Sequence, residues 1–166
     1  SPAVSNGYVY VGSWDHKVYQ LNATNVSQKI ANFTTGAEFG SSPAVANGYI
    51  YVGGYDGQVY QLNASNISQQ IAASYLTGLM IDSSPAVANG SVYIGSYDKH
   101  LYQLNASNIS QQIANFTTGD IVYSSPAVAN GYVYVGSYDK YVYQLNASNI
   151  SQQIANFTTG YFVESS

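Results

Sequence analysis

The sequence predicts an all-β fold, a β-propeller built from four four-stranded antiparallel blades. Two observations carry that prediction. Pro2, Pro43, Pro85 and Pro126 each open a Pro-Ala-Val triplet, so the 166-residue chain repeats at intervals of 41, 42 and 41 residues. The repeat is rich in Tyr and Val and carries a turn signal about every 8–12 residues, which is the pattern of propeller blades. No segment sustains a 3.6-residue apolar period, so helix is not expected. The third and fourth units agree at 34 of 41 positions, and the blades are expected over residues 1–41, 42–83, 84–124 and 125–166.

Each unit parses into four strands. The first is Ser42 to Ala46 in the second unit, and Asn47-Gly48 follows it. The dipeptide recurs at Asn6-Gly7, Asn89-Gly90 and Asn130-Gly131. Asn-Gly accepts positive φ at both positions, as a two-residue type I′ hairpin requires. The second strand, Tyr49 to Gly53, alternates Tyr with aliphatic residues, so its two faces differ and neighbouring blades cover both. Gly12, Gly53, Gly95 and Gly136 end these strands, where a bare backbone implies close approach by a neighbour. Next comes a turn with an aromatic-Asp pair: Trp14-Asp15, Tyr55-Asp56, Tyr97-Asp98 and Tyr138-Asp139. An Asp there is expected to bond its own backbone. The third strand is Val59 to Leu62, and the fourth Gln69 to Ala72, reached through Asn-Ala-Ser-Asn.

Composition excludes several classes of function. Charged residues are only 7% of the chain, Arg is absent and the formal net charge is −4. Nucleic acid is therefore not an expected partner, since phosphate binding needs a basic stripe. Docking to an anionic membrane is disfavoured for the same reason. No apolar run reaches the roughly 18 residues of a membrane span, so membrane insertion is not expected. With no Cys, disulfides, thiolate metal sites and Cys nucleophiles are excluded. No signal peptide is recognisable, and the chain begins inside the repeat.

From Ser124 to Asp139 the sequence reads Ser-Ser-Pro-Ala-Val-Ala-Asn-Gly-Tyr-Val-Tyr-Val-Gly-Ser-Tyr-Asp, with Tyr-Gln-Leu-Asn-Ala at Tyr143 to Ala147. These stretches resemble the PQQ-like (quinoprotein-type) propeller repeat, over essentially the whole chain. That superfamily holds quinone-dependent dehydrogenases and also non-enzymatic envelope scaffolds, and the resemblance implies the latter branch here. Family blades often carry Ala-x-Asp-x-x-Thr-Gly-x-x-x-Trp, whereas Leu104 to Phe116 has neither the Thr-Gly nor the Trp. Ile113 and Phe116 are expected to take over that packing. The family's quinone contacts use Arg, and often a vicinal Cys pair, and this chain has neither residue. No enzyme activity and no cofactor are expected.

Candidate function lies where the units differ. Four of the eight acids are repeat-locked in the aromatic-Asp turn. The other four, Glu38, Asp82, Asp120 and Glu164, lie in the short segments joining one blade to the next, with Phe39, Met80, Ile121, Tyr123 and Phe162. By resemblance, these segments line one face of the propeller beside its axis. Glu38, Phe39, Asp82, Asp120, Tyr123 and Glu164 are thus candidate ligand contacts, suited to a cation, a sugar or a peptide. No metal spacing, nucleophile elbow or phosphate loop is present, and His16 and His100 read as isolated turn residues. Asn22, Asn63, Asn105 and Asn146 begin Asn-x-Ser/Thr triplets and are candidate glycosylation acceptors in a secreted chain. Turn chemistry copied with the repeat is the other reading of the same triplets. Low charge with abundant Asn, Ser, Thr and Tyr suits an extracellular or cell-surface protein. The expected function is a non-catalytic scaffold for protein or glycan contact; the alternative is small-ligand or cation binding through the acidic loops.

Four blades are the low end of the propeller range. Each unit supplies all four strands of its blade, which leaves two blade faces rich in Tyr and Val uncovered. Two chains closing one eight-bladed ring is the expected assembly, with a four-bladed monomer as the alternative.

Overall fold

The computed structural model describes residues 1–165. Blade one is the sheet β1 (Ala3–Ser5), β2 (Tyr8–Ser13), β3 (Lys17–Asn22) and β4 (Asn25–Thr34). Blade two is β5 (Ala44–Ala46), β6 (Tyr49–Gly53), β7 (Gln58–Asn63) and β8 (Asn66–Gln70), with β9 (Tyr75–Leu76) also paired to β7. Blade three is β10 (Ala86–Ala88), β11 (Ser91–Gly95), β12 (His100–Asn105) and β13 (Asn108–Thr117). Blade four is β14 (Ala127–Ala129), β15 (Tyr132–Gly136), β16 (Tyr141–Asn146) and β17 (Gln153–Thr158). All neighbours pair antiparallel, in the order of the sequence.

The hairpins form as their residues dictate. Asn47 has φ 52° and Gly48 φ 79°, and the same pair of positive angles recurs at all four Asn-Gly turns. Both angles match the type I′ turn that suits the strand twist.

The outermost strand departs from expectation. It starts at Asn25, Asn66 and Asn108 in the first three blades, earlier than Gln69 to Ala72 implied, and in blades one and three it runs to Thr34 and Thr117. A bulge divides it. In blade three Gln103 pairs with Ala114 but Leu104 pairs with Gln112, so Ile113 is the extra residue. A bulge residue leaves the ladder and turns its side chain outward. Ile113 is accordingly 50% exposed and does not share the packing expected of it. Phe116 does pack inward, its ring 5.1 Å from Tyr143 of the next blade and edge-on to it. In blade two the additional residue near Ala73 splits this strand into β8 and β9, and Tyr75 takes the phenylalanine's place opposite Val59.

Three apolar clusters join blade one to two, two to three, and three to four. Among the described residues no such cluster joins blade four to blade one. The innermost strands stand side by side around the axis, β1 with β5, β5 with β10 and β10 with β14. Their amides are linked by serines: Ser42 N–H donates to Ser84 Oγ, and Ser84 N–H to Ser125 Oγ, both at 2.9 Å. The chain is thus an open arc of a propeller, with one bare blade face at each end.

Candidate functional site

Strand directions sort the loops onto two faces of the arc. The aromatic-Asp turns and the inter-blade segments share one face, here called the mouth. The Asn-Gly hairpins and the Asn-Ala-Ser turns share the opposite face.

At the mouth, each strand-ending glycine is roofed by a residue of the following segment. A Cβ on Gly95 would lie 2.4 Å from Val122 Cγ1, and one on Gly53 would lie 2.2 Å from Ile81 Cγ2. Phe39 is the equivalent residue over Gly12 and is buried between blades one and two. Of the candidate contacts, Phe39 therefore lies inside the core, not on the mouth's surface.

One residue further along, the segments carry Gly40, Asp82, Tyr123 and Glu164, and these meet the turn tyrosines. Tyr55 Oη donates to Asp82 Oδ1 at 2.7 Å, and Tyr97 Oη donates to Asp82 Oδ2 at 2.8 Å. Tyr138 Oη donates to Glu164 Oε1 at 2.5 Å. Tyr123 sits between Tyr97 and Tyr138, with ring centroids 6.1 and 5.9 Å away, and Phe162 stacks on Tyr138 at 4.5 Å. The result is a continuous aromatic row edged by two carboxylates. Asp120 and Glu38 stand apart from it. Asp120 Oδ1 is 3.7 Å from Lys99 Nζ, and Glu38 Oε1 is 3.8 Å from His16 Nε2.

Two of the repeat-locked aspartates, Asp98 and Asp139, act within the blade joints, while Asp15 and Asp56 bond only within their own blades. Asp98 Oδ1 accepts from the His100 amide at 3.1 Å, and its Oδ2 accepts from Tyr102 Oη at 2.7 Å and Gly78 N–H at 2.6 Å. Asp139 repeats this with Tyr141, Tyr143 and Gly119. One carboxylate thus closes its own turn, fixes the third strand and holds the preceding blade's exit.

These contacts shift the phenols upward. Burial first, then the Asp82 carboxylate, holds Tyr55 and Tyr97 well above the ordinary phenol range. Burial and Asp56, Asp98 and Asp139 do the same to Tyr60, Tyr102 and Tyr143. The Glu164 hydrogen bond, then burial, pushes Tyr138 up to about 12, and burial pushes Tyr51 up to about 12. The folded chain keeps these protons after the unfolded chain, with phenols near pKa 10, has lost them. Stability is fully present below about pH 10 and falls as pH rises from there toward the folded values. Urea unfolding midpoints should therefore stay level to about pH 9 and drop steeply above it. Midpoints that stay level through the alkaline range would contradict this account.

On the opposite face, Asn22, Asn63, Asn105 and Asn146 each close a turn. Asn105 Oδ1 accepts from the Ser107 amide at 2.9 Å and from Ser107 Oγ at 2.7 Å, while its Nδ2 donates to Gln111 Oε1 at 3.1 Å. Asn22, Asn63 and Asn146 repeat the arrangement. Clefts of about 520, 280 and 200 Å³ open on this face at the three blade boundaries, lined mainly by Asn, Ser, Gly and Ala. The sequence points to a pocket only at the mouth. A repeated Asn-Ala-Ser turn beside a repeated Asn-Gly hairpin was the available signal for these clefts.

The fold defines the class: a β-propeller, present as a four-bladed arc. Two of the solved structures that resemble it illustrate the likeness. The crystal structure of the computationally designed Ika8 protein superposes with a TM-score of 0.84 at 12% identity, covering 97% of this chain and 49% of that one. BamB from Moraxella catarrhalis superposes with a TM-score of 0.75 at 15% identity, covering 97% of this chain and 51% of that one. At these identities the likeness concerns the fold, and this chain spans about half the length of either protein. No family model matches the chain, and no curated protein matches its sequence. Among the described residues no helix is long and apolar enough to cross a membrane.

Proposed function

We propose that this chain is a non-catalytic propeller scaffold whose mouth makes contact with a glycan or protein at a cell surface. The observation that carries the reading is the aromatic row. Tyr97 and Tyr138 of the turns, with Tyr123 and Phe162 of the segments where the units differ most, form a contiguous set of rings, with Asp82 and Glu164 beside them. Aromatic rings supply apolar contact area, and the tyrosines add a polar rim at little conformational cost. The repeat-locked acids are each occupied by the tyrosine of their own third strand, which supports a folding role rather than chemistry. Low charge and recurrent Asn-x-Ser/Thr triplets support the extracellular placement.

The test is to probe glycan and peptide arrays with the wild-type chain and with Tyr123→Ala/Phe162→Ala. Binding that falls at least tenfold in the double variant is expected. Full retention of the signal in the variant, or no signal on either array, counts against the reading.

A further inference from the structure

The three blade boundaries inside the chain are copies of one polar clamp. Tyr10, Tyr51 and Tyr93 each donate from Oη, at 2.6 Å, to the carbonyl of Ala64, Ala106 and Ala147 in the next blade. Gln20, Gln61 and Gln103 donate to the same carbonyls at 3.0–3.1 Å. Their Oε1 atoms accept from the amides of Ile67, Ile109 and Ile150 at 3.2–3.3 Å. Every clamp thus has a donating face on one blade and an accepting face on the next.

The arc ends with one of each. Tyr134 and Gln144 continue the donating series in blade four, and Ala23 and Val26 continue the accepting series in blade one. Within the described residues no clamp joins either pair to anything. Burial follows suit: Ile67, Ile109 and Ile150 are fully buried, whereas Val26 is 60% exposed. Phe33 and Phe116 lie edge-on to Tyr60 and Tyr143, whereas Phe157 is 70% exposed. A cavity of about 210 Å³ lined by Tyr134, Gln144 and Phe157 opens on blade four's bare face, where the inner boundaries hold the next blade's side chains.

We propose that the occupant of these faces is a second copy of this chain, and that two copies close one eight-bladed ring about a two-fold axis. Blade four of each copy packs on blade one of the other. Tyr134 Oη donates to the second copy's Ala23 carbonyl, Gln144 bridges that carbonyl and the second copy's Val26 amide, and Phe157 lies against the second copy's Tyr19. Unlike faces propagate head to tail, and they terminate only by closing a ring. The curvature of the arc sets where closure falls. The four blades superpose on 49% and 51% of two longer chains, which leaves a length equal to one more copy. Closure also completes the mouth, because Trp14 holds the turn position of Tyr97 and comes beside the second copy's Glu164 as Tyr97 stands beside Asp82.

Light scattering on the 166-residue chain tests this. The expected mass is twice the 17.8 kDa of one chain, constant with concentration across the micromolar range. Val26→Asp buries an unpaired charge in the closed ring but meets solvent in the arc, so it should weaken dimerisation at least about a hundredfold. Gln144→Leu removes no side-chain hydrogen bond among the described residues, so it should lower dimer affinity while leaving the circular dichroism of the chain unchanged. Ile30→Asp is the control, since Ile30 is a solvent-facing bulge residue and should leave the dimer intact. A monomeric mass, a mass that grows into longer oligomers, or a dimer unaffected by both Val26→Asp and Gln144→Leu would overturn the proposal.

Discussion

Gly95→Val is expected to destabilise the chain by about 3 kcal/mol, the upper end for overpacking a filled core. A Cβ there would stand 2.4 Å from Val122 Cγ1 and 2.7 Å from the Val122 carbonyl oxygen. A side-chain rotation relieves only the first of these contacts, because the carbonyl belongs to the backbone of the segment crossing to blade four. Gly95 N–H also donates to Ser83 Oγ at 3.0 Å, which pins the strand end from its other side. For a domain of this length the loss corresponds to a fall of roughly 6–12 °C in Tm. Gly36→Ala is the matched control. A Cβ at Gly36 meets nothing within 4 Å, so its effect should stay within about 0.5 kcal/mol. Thermal melts of the two variants decide the matter; equal shifts would show that the roofing contact does not govern packing at the strand end.

Gln103→Leu is the second large effect. Gln103 is buried and joins three groups: its Nε2 donates to Ser91 Oγ and to the Ala147 carbonyl, both at 3.1 Å, and its Oε1 accepts from Ile150 N–H at 3.2 Å. Leucine keeps the volume and leaves the amide of the buried Ile150 without its acceptor. A buried unpaired group of this kind costs about 1–3 kcal/mol. The Ala147 carbonyl survives the single change because Tyr93 Oη still donates to it. Tyr93→Phe alone is similarly cushioned by Gln103. Together the two changes leave that carbonyl with no donor, so the double variant should lose more than the sum of the singles, by about 0.5–3 kcal/mol of coupling. A four-variant denaturation cycle measures this directly, and strict additivity would mean that the two donors do not share one acceptor.

The repeat made most of the fold legible. Asn-Gly could be assigned its turn type because positive φ at two successive positions is a local demand, met within the dipeptide. The strand-ending glycines announced a close approach, although only the structure identified Phe39, Ile81 and Val122 as the roof. The bulge was not legible. Which isoleucine leaves the ladder depends on register against the neighbouring strand, and Ile113 looks as apolar in sequence as Phe116 three residues later. The buried glutamines stand in the sequence without any local sign of their partners. A Gln fixed in the Tyr-Gln-Leu of every third strand is an unusual core residue, and its partners in the next blade lie more than 40 positions away. The candidate acids separated on structure for a similar reason. Asp82 and Glu164 meet tyrosines of a neighbouring turn, while Asp120 and Glu38 face Lys99 and His16, and none of those pairings follows from the segment's own sequence.

The clamp between blades has a consequence for how the molecule is parsed. Because each boundary uses the same residues in the same register, a blade recognises only that its neighbour is a blade, never which one. Such an arrangement is a one-dimensional polymer in which stability accrues joint by joint. Adding or removing a unit would preserve every local contact and change only the length of the arc. Nothing in the joints themselves counts to four or to eight; the number is imposed by geometry, at the point where the last donor comes round to the first acceptor.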